Sequence, residues 1–374
     1  MPAPSLTAAI KREAQRLGFA LAGVCPAAPL AGAERLHTWL ASGYAGQMHY
    51  LPEREEAYSH PRSVLDGVRS IVVLAMNYRT AEPAAVGPGQ GRVSRYAWGD
   101  ADYHDVIHDR LRPLCDFVRG QVPGGKVRGV VDTAPLMERE LAQTAGLGWV
   151  GKNTLLLNKQ LGSWFFLAAL LCDLELEYDS PHEHEHCGSC RACLDACPTD
   201  AFPQPHVLDA TRCISYLTIE LRDHIPSELR AGVGQWLFGC DICQDVCPWN
   251  HRAPQSNEPV FAPLPDRNPI ELAALFALDD DAFRERFRHT PLWRARRRGI
   301  LRNAAIVLGN RPDMRCLDAL IGGLVDSEPL VRAACAWALA RYDDDRAREA
   351  LGHRLPDEND PEVRSEIKLA MCHK

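Results

Sequence analysis

Eight of the fourteen cysteines occur in a pattern that is typical of iron–sulfur ligands. The first run has the spacing C-x2-C-x2-C-x3-C-P and consists of Cys187, Cys190, Cys193 and Cys197. The second run has the spacing C-x2-C-x3-C-P and consists of Cys240, Cys243 and Cys247. Cys213 lies 27 residues before Cys240 and supplies the ligand that the second run lacks. With this spacing, three thiolates of one tight loop can bind three irons of a cubane cluster.

The fourth cysteine of such a run binds the other cluster. This exchange assigns Cys187, Cys190, Cys193 and Cys247 to cluster one, and Cys197, Cys213, Cys240 and Cys243 to cluster two. Pairs of the C-x2-C type also form structural zinc sites. Zinc is the weaker interpretation, because eight cysteines in two proline-terminated runs do not divide readily into tetrahedral sites. The sequence therefore predicts two [4Fe–4S] clusters and a redox protein.

The remaining cysteines and a nearby group of histidines carry a weaker signal. Six cysteines show no ligand spacing and are expected to be small buried hydrophobic residues: Cys25, Cys115, Cys172, Cys316, Cys335 and Cys372. His182, His184 and His186 alternate with glutamates just before the first cysteine run. We favour a solvated linker for this segment over a metal site.

The composition, with 46% hydrophobic and 24% charged residues, is that of a soluble globular protein. No apolar run is long enough to span a bilayer, and the N-terminal residues follow a helical pattern rather than that of a signal peptide. We therefore expect a cytoplasmic protein without a membrane partner, whose cysteines bind metal rather than form disulfides. The net charge of −7 does not indicate nucleic-acid binding.

One segment nevertheless is strongly basic. Eight arginines and a single acidic residue lie between Arg284 and Arg302. Since screening confines a field to roughly 8–10 Å, a local phosphate-binding patch can exist on an acidic protein. A solvated helix face explains the same charges equally well.

The hydrophobic pattern predicts an α+β protein of several domains. Residues 1–175 are expected to form a mixed α/β domain, with buried strands at 70–76 and 126–131 and helices at 103–119 and 136–145. Residues 176–260 contain the cysteines and predict a ferredoxin-like domain with two clusters. In residues 261–374, similar helical segments start at Leu301, Val331 and Val363, which favours HEAT-like repeats over a generic helical bundle.

Two motifs in the first domain require a choice between interpretations. Residues 146–151 match G-x-G-x-x-G, but they follow a predicted helix instead of a strand, so we reject a dinucleotide site. Asp132 lies between a predicted strand and a predicted helix, where an aspartate is most often an N-cap. An N-cap position lowers the pKa of a carboxyl group, which does not suit a general acid unless burial raises the pKa again.

The combined motifs resemble those of the epoxyqueuosine reductase family, which completes the tRNA wobble nucleoside queuosine. The resemblance extends over about residues 5–370 and is carried by the two cysteine runs and by three further segments: 94–104 (SRYAWGDADYH), 146–153 (GLGWVGKN) and 213–220 (CISYLTIE). It implies a cobalamin-binding first domain, a double-cluster domain and a HEAT-like domain that engages tRNA. The sequence lacks the D-x-H-x-x-G motif, in which the histidine binds the cobalt of cobalamin. We therefore expect no histidine ligand of this kind.

The resemblance also implies roles for individual residues. Asp132 matches the family's proposed proton donor in a two-electron deoxygenation, and this replaces the N-cap interpretation. Cobalamin, bound as cob(II)alamin in the resting state, is expected to contact Arg54, Tyr96, Asp132, Lys152, Ser163, Ser215, Tyr216 and Asp241. Contacts to tRNA are expected from Arg222, His224, Arg296, Arg297 and Arg298.

The expected partners are a tRNA anticodon stem-loop that carries epoxyqueuosine and an external electron donor, with the chain acting as a monomer. Two alternatives compete with this hypothesis. A cobalamin-dependent reductase of small molecules shares the clusters but needs neither the repeats nor the arginine run. An electron carrier needs only the residues around its clusters, and most of the chain then has no function.

Overall fold

The computed structural model describes residues 5–372. Its first part contains five helices and seven strands. The helices are α1 Leu6–Arg16, α2 Gly32–Ala41, α3 Glu55–Tyr58, α4 Tyr103–Gln121 and α5 Glu138–Thr144. The strands are β1 Leu21–Pro26, β2 Ser70–Asn77, β3 Gln90–Val93, β4 Val127–Val130, β5 Trp149–Val150, β6 Leu156–Leu157 and β7 Phe165–Cys172. Both predicted strands and both predicted helices are therefore confirmed.

Four strands form an antiparallel sheet in the order β1-β2-β7-β4. Every residue of β2 is buried, because helices cover both faces of the sheet. Val72, Leu74 and Met76 pack with α1 and α4 on one face, and Ile71 and Val73 pack with α5 on the other. The alternation follows from the two-residue period of a strand and explains why β2 and β7 are almost continuously apolar.

The cysteine-rich part is built from short elements. These are α6 Ala192–Asp195, α7 Ile214–Ile219, α8 Ser227–Val233, β8 Trp236–Phe238 and α9 Ile242–Asp245. Strand β8 pairs in parallel with β3, which joins this part to the first. Short elements suit a cluster-binding domain, because closely spaced cysteine ligands hold the backbone in loops and interrupt long helices.

The last part is helical apart from β9 Ile270–Glu271, as predicted. Its helices are α10 Asp280–Phe287, α11 Arg296–Asn310, α12 Leu317–Gly323, α13 Pro329–Leu339, α14 Asp345–Asp357 and α15 Pro361–Cys372. Helices α11, α13 and α15 pack side by side, as stacked repeats do. Cys372 is exposed, so the expectation of burial is wrong for this cysteine and right for the other five.

One hydrophobic core connects the helical repeats to the cysteine-rich part. The buried Asn303 of α11 donates to the carbonyl oxygens of Thr218 and Leu237, at 2.8 and 2.9 Å. The fully buried Arg302 donates to the carbonyl oxygens of Leu217 and Leu221. Among the described residues, no helix is both long and apolar enough to cross a membrane. The three domain boundaries stay a prediction.

Candidate functional site

The four cysteines that were assigned to cluster one surround a single cavity. Cys187, Cys190, Cys193 and Cys247 line a volume of about 250 Å³. Helices α6 and α9 pack against each other and carry the cysteine-containing loops into contact. The structure thus brings together the first three thiols of the first run and the last thiol of the second run.

The four cysteines that were assigned to cluster two also lie close together. Burial raises the pKa of Cys243 well above its usual value, and the charge of Cys213 raises it further. The same two effects act on Cys240, with Cys243 and Cys213 as its charged neighbours. Burial is also the main reason why the pKa of Cys213 is raised, and the charge of Cys197 raises this pKa further. Four cysteines this close together repel one another as thiolates. A bound metal centre offsets this repulsion, and its binding releases the thiol protons.

Lys152 lies at the cluster-one cavity rather than in an open groove. Its Nζ donates to the carbonyl oxygens of Gly188, at 2.5 Å, and Cys190, at 3.0 Å. These bonds hold the loop between the first two cysteines. The side chain therefore supports cluster binding in this structure, whereas the sequence resemblance implied a cobalamin contact.

Asp132 occupies a left-handed backbone conformation, with φ of 53°, in the loop between β4 and α5. The residue before α5 is Met137, so the N-cap interpretation is wrong for Asp132. The Asp132 backbone N–H donates to Glu138 Oε1 at 2.8 Å. A left-handed conformation at a non-glycine residue costs about 1 kcal/mol or more and persists where surrounding contacts enforce it. Here Glu138 provides such a contact.

Two side chains of α4 hold the Asp132 carboxylate. Tyr103 Oη donates to Asp132 Oδ2 at 2.5 Å, and His104 Nε2 lies 3.2 Å from the same oxygen. The first turn of α4 positions both side chains, and Asp102 is the N-cap of this helix. Burial acts to raise the pKa of Asp132, but hydrogen bonds with His104 and Tyr103 outweigh it and lower the pKa to about 2.

Arg294, from the short turn before α11, completes this network. Its Nη2 lies 2.5 Å from His104 Nδ1 and 3.3 Å from Asp102 Oδ1. Its guanidinium also lies over the Tyr103 ring, 5.1 Å from the centroid. Asp102, Tyr103 and His104 were not predicted as site residues from the sequence, although they belong to the motif at 94–104. Arg294 was predicted only as a member of the basic run.

Glu138 is the second carboxyl group of the site. Burial raises its pKa to about 8, and the charge of Asp132 contributes to this rise. Two neighbouring carboxyl groups with pKa values far apart are typical of sites that use one as a base and one as an acid. Nothing in the sequence pattern distinguished Glu138 from an ordinary glutamate in the first turn of a helix.

We expect Glu138 to make the folded state less stable as the pH rises. Because its pKa is raised from 4.5 to about 8, the folded protein binds more protons than the unfolded chain in this interval, and stability falls between roughly pH 5 and 8. The variant Glu138→Gln should show a smaller decrease of the thermal midpoint over that range. The control is Glu349→Gln at an exposed position of α14. Parallel curves for the wild type and Glu138→Gln would contradict the assignment.

An open groove extends from this network. A cleft of about 160 Å³ is lined by Tyr103, Asp132, Glu138, Arg139 and Phe166, among others. A larger cleft of about 880 Å³ continues from Arg139 along α2 to residues 203–208. The Asp132 side chain lines the smaller cleft. It therefore has many protein neighbours and is still 56% exposed to the solvent in the cleft.

The groove fits a large planar macrocycle such as the corrin of cobalamin. Tyr103 and Phe166 stack with a centroid distance of 4.3 Å and an interplanar angle of 7°, and both line the smaller cleft. Tyr96 packs edge-on against Tyr103 at 5.9 Å. Arg54 reaches the Asp132 loop, where it donates to the Thr133 carbonyl oxygen at 3.3 Å. Arg54, Tyr96 and Asp132 are therefore brought together.

Four other expected cobalamin contacts are engaged elsewhere. Ser163 borders the small cleft, but its hydroxyl accepts from Gln244 and Asn250 in a buried network. Ser215 lies next to the Cys213 thiol and acts to lower its pKa, and Tyr216 Oη accepts from the Gln47 backbone N–H at 2.8 Å. Asp241 is 2% exposed and accepts from Ser94 and Arg95. These contacts explain their residue types without a cofactor.

The basic run divides into exposed and structural arginines. Arg296 and Arg298 are exposed, and so is Arg222, whose Nη1 donates to the Arg294 carbonyl oxygen. Partial burial lowers the pKa of Arg222, and the nearby charges of Arg298 and Arg296 lower it further. Arg297 instead forms an ion pair with Asp326 and is almost buried. The tRNA contact of Arg297 stays a prediction, which this ion pair does not favour because it already engages the guanidinium.

His224 and the histidines before the first cysteine run complete the predicted set. His224 Nε2 lies 2.9 Å from Glu362 Oε2. His182 and His186 pack against Trp149, with centroid distances of 5.6 and 4.8 Å, and only His184 is exposed. The interpretation as a solvated linker is therefore wrong for His182 and His186.

Comparison with known proteins identifies this arrangement. Three family models match the chain: "Epoxyqueuosine reductase QueG" over residues 59–133, "4Fe-4S double cluster binding domain" over 186–250 and "HEAT repeats" over 292–372. The epoxyqueuosine reductase of Pseudomonas aeruginosa is 42% identical over 343 residues, which cover 90% of this chain and 94% of that protein. The chain belongs to the epoxyqueuosine reductase family.

Other members of the epoxyqueuosine reductase family agree with this assignment. The Escherichia coli enzyme is 38% identical over 89% of this chain and 88% of its own length. A crystal structure of an epoxyqueuosine reductase with an epoxyqueuosine-modified tRNA-Tyr stem loop matches with a TM-score of 0.91, 31% identity and 97% coverage of both chains. The Bacillus subtilis enzyme, solved with its catalytic aspartate loop swung out of the active site, matches with a TM-score of 0.89 and 30% identity over 97% of both chains.

Membership of the epoxyqueuosine reductase family confirms several predictions. The protein is an oxidoreductase with a double [4Fe–4S] domain and C-terminal HEAT repeats, as expected from the cysteine spacing and the helical periodicity. A simple electron carrier is excluded, because relatives of the same length are named reductases. A reductase of small molecules is excluded by the same relatives.

Proposed function

We propose that this chain reduces epoxyqueuosine to queuosine at the wobble position of tRNA, the last step of queuosine biosynthesis. The observation that carries this proposal is the Asp132–Tyr103–His104 network at the base of an open groove next to the cysteine sites. Deoxygenation of an epoxide to an alkene consumes two electrons and two protons and releases water. The site must therefore combine a path for electrons with a group that delivers protons.

The eight cysteines supply the path for electrons in this proposal. Cluster one is held by Cys187, Cys190, Cys193 and Cys247, and cluster two by Cys197, Cys213, Cys240 and Cys243. Cys243 is near enough to Arg139 at the groove for its charge to act on the pKa of that guanidinium, which supports cluster two as the neighbour of the substrate site. Electrons from an external donor then enter at cluster one, because cluster two is the cluster that lies nearer to the groove in this proposal.

Cobalamin would lie in the groove between Arg54, Tyr96, Asp132 and Arg139. When bound, it supplies a strongly reducing cobalt centre for two-electron chemistry that amino-acid side chains do not provide. The aromatic surface of Tyr103 and Phe166 supports the macrocycle, and a filled groove excludes water from Asp132. Lys152, Ser163, Ser215, Tyr216 and Asp241 act through the surrounding structure, because their polar atoms already have protein partners.

Asp132 delivers a proton to the oxygen that leaves the substrate, and once reprotonated it delivers the second proton that releases this oxygen as water. The Asp132 pKa of about 2 is that of the protein with an open groove, in which Asp132 is a carboxylate at neutral pH. Exclusion of water from the groove raises the pKa of a carboxyl group, so that Asp132 takes up a proton when substrate is bound. His104 is placed to pass this proton, since its Nε2 lies 3.2 Å from Asp132 Oδ2 and its Nδ1 lies 2.9 Å from Asp102 Oδ1. Burial acts to lower the pKa of His104, but these two carboxylates outweigh it and raise the pKa.

The tRNA anticodon stem-loop binds next to the groove in this proposal. Arg222, Arg296 and Arg298 form an exposed basic cluster, which Arg294 connects to His104 and Asp102. Recognition of an unstacked loop base suits a groove with an acidic group at its base. His224 lies on the same side but is paired with Glu362. A tRNA substrate also implies a cytoplasmic enzyme, and we propose that it acts as a monomer.

The direct test is anaerobic reconstitution with iron, sulfide and cobalamin, followed by incubation with epoxyqueuosine-containing tRNA and a strong reductant. Mass spectrometry of the nucleosides should show the loss of one oxygen only when cobalamin and the reductant are both present. An unchanged nucleoside, in protein with verified clusters and cobalamin, would contradict the proposed reaction.

Neutralising the exposed basic cluster should weaken tRNA binding. For Arg296→Gln with Arg298→Gln, we expect a higher Kd and a log Kd versus log salt slope that is smaller by about 1–2, as for two lost phosphate contacts. The matched control is Arg346→Gln with Arg348→Gln, which removes two exposed arginines at the same spacing on α14. Equal salt slopes for the two double variants would contradict the proposed tRNA surface.

A further inference from the structure

Four aromatic rings pack together beside the cluster-one cavity, namely Trp149, His182, His186 and Trp249, and the last two of them line it. The His186 ring is T-shaped to Trp149, with a centroid distance of 4.8 Å, and lies 5.3 Å from His182 and 6.0 Å from Trp249. Trp149 is 1% exposed and packs against Cys247. Contacts on several sides fix the orientation of the imidazole, so that its nitrogens cannot turn freely towards solvent.

The Nε2 atom of His186 is buried and has no hydrogen-bond partner among the described protein atoms. The same side chain lines the 250 Å³ cavity together with Cys187, Cys190, Cys193 and Cys247. Buried polar atoms are nearly always hydrogen-bonded, so an orphaned one requires an explanation. Because His186 lines the cavity, a group that fills the cavity would be within reach as the missing partner of the imidazole.

We propose that His186 donates an N–H hydrogen bond to a sulfur atom of cluster one and thereby raises the reduction potential of that cluster. The inference rests on the proposed cysteine assignment. Reduction adds one electron to the cluster and increases the negative charge on its sulfur atoms, so a fixed donor stabilises the reduced form more than the oxidised form. Hydrogen bonds to sulfur are one of the established determinants of cluster potential. The neutral imidazole is sufficient, because it carries one N–H.

The test is an anaerobic redox titration of the reconstituted full-length protein, monitored by EPR, in which each cluster contributes a one-electron wave. In His186→Phe, which keeps a planar ring but no donor, we expect one wave to move to lower potential and the other to stay. The ratio of reduced to oxidised cluster at a fixed potential should fall by up to about tenfold, equivalent to about 59 mV. The control His184→Phe changes an exposed histidine two positions away and should move neither wave.

A donor-restoring variant separates the hydrogen bond from packing. His186→Gln provides an amide N–H and should recover part of the shift, whereas His186→Met provides none and should not. If His186→Phe fails to bind iron, the potentials of His186→Gln and His186→Met are compared instead. Equal cluster potentials in these two variants would overturn the proposal. Unmoved waves in fully loaded His186→Phe overturn it as well. Iron analysis of each sample separates these results from a failure of the cysteine assignment, which would appear as missing clusters in the wild type.

Discussion

Replacing Asp132 by asparagine is expected to reduce turnover of epoxyqueuosine-containing tRNA by a factor of about 10²–10⁴, the usual contribution of a positioned general acid. Asparagine keeps the size of the side chain and an oxygen that accepts from Tyr103, but it cannot deliver a proton. The loss should therefore appear in the single-turnover rate at saturating tRNA. Cobalamin content and tRNA affinity should remain close to those of the wild type, since the groove keeps its shape.

The control for this prediction is Asp105→Asn, an exposed aspartate in the first turn of the same helix that carries Tyr103 and His104. It removes one negative charge near the site without touching the Asp132 network, and its single-turnover rate should be unchanged. Full turnover by Asp132→Asn with cofactor bound would remove the acid role. Equal losses in both variants would show that local charge, rather than proton transfer, limits the rate.

The cysteine sites and the main sheet could be predicted from the sequence because their signals are local. Ligand spacing in a cluster-binding loop is set by the size of the cluster, and the exchange of the fourth cysteine follows from the same geometry. The continuous apolar run of β2 likewise records burial on both faces of a sheet. In both cases short runs of residues carry most of the pattern, and Cys213 is the only predicted ligand that lies outside a run.

The Asp132 network could not be predicted in the same way, because its members come from distant parts of the chain. Tyr103 and His104 precede Asp132 by almost 30 residues, and Arg294 follows it from the helical part. Each looks ordinary within its own segment. The left-handed backbone conformation of Asp132 could not be predicted from the sequence either. An aspartate between a predicted strand and a predicted helix fits an ordinary N-cap equally well.

The arginine run shows why charge density alone does not locate a binding surface. Arg297 pairs with Asp326, and Arg302 is buried against backbone carbonyl oxygens, although neither differs in sequence pattern from the exposed Arg296 and Arg298. Arginine can satisfy carbonyl and carboxylate acceptors within a fold as readily as phosphate. Only the tertiary contacts decide which of these roles a given residue has.

Removing one cysteine ligand should abolish one cluster and with it the reaction. For Cys243→Ala, we expect about half of the wild-type iron and sulfide, loss of one EPR wave and turnover at background level, since cluster two is the proposed route to the groove. The control Cys335→Ala changes an equally buried cysteine in the core of α13 and should keep both clusters. It should lower thermal stability only slightly, because it removes a single small group.

The assignment of ligands to clusters makes a sharper prediction, because Cys197 belongs to the first run in sequence but to cluster two in space. Cys197→Ala should therefore remove the same EPR wave as Cys243→Ala, whereas Cys247→Ala should remove the other wave. If Cys197→Ala instead removed the wave that is lost in Cys247→Ala, the two runs would not exchange their last cysteines. Cys247 lines one cavity with Cys187, Cys190 and Cys193, whereas Cys197 is not among the residues around that cavity, which favours the exchange. A protein that bound two full clusters without Cys243 would contradict the assignment altogether.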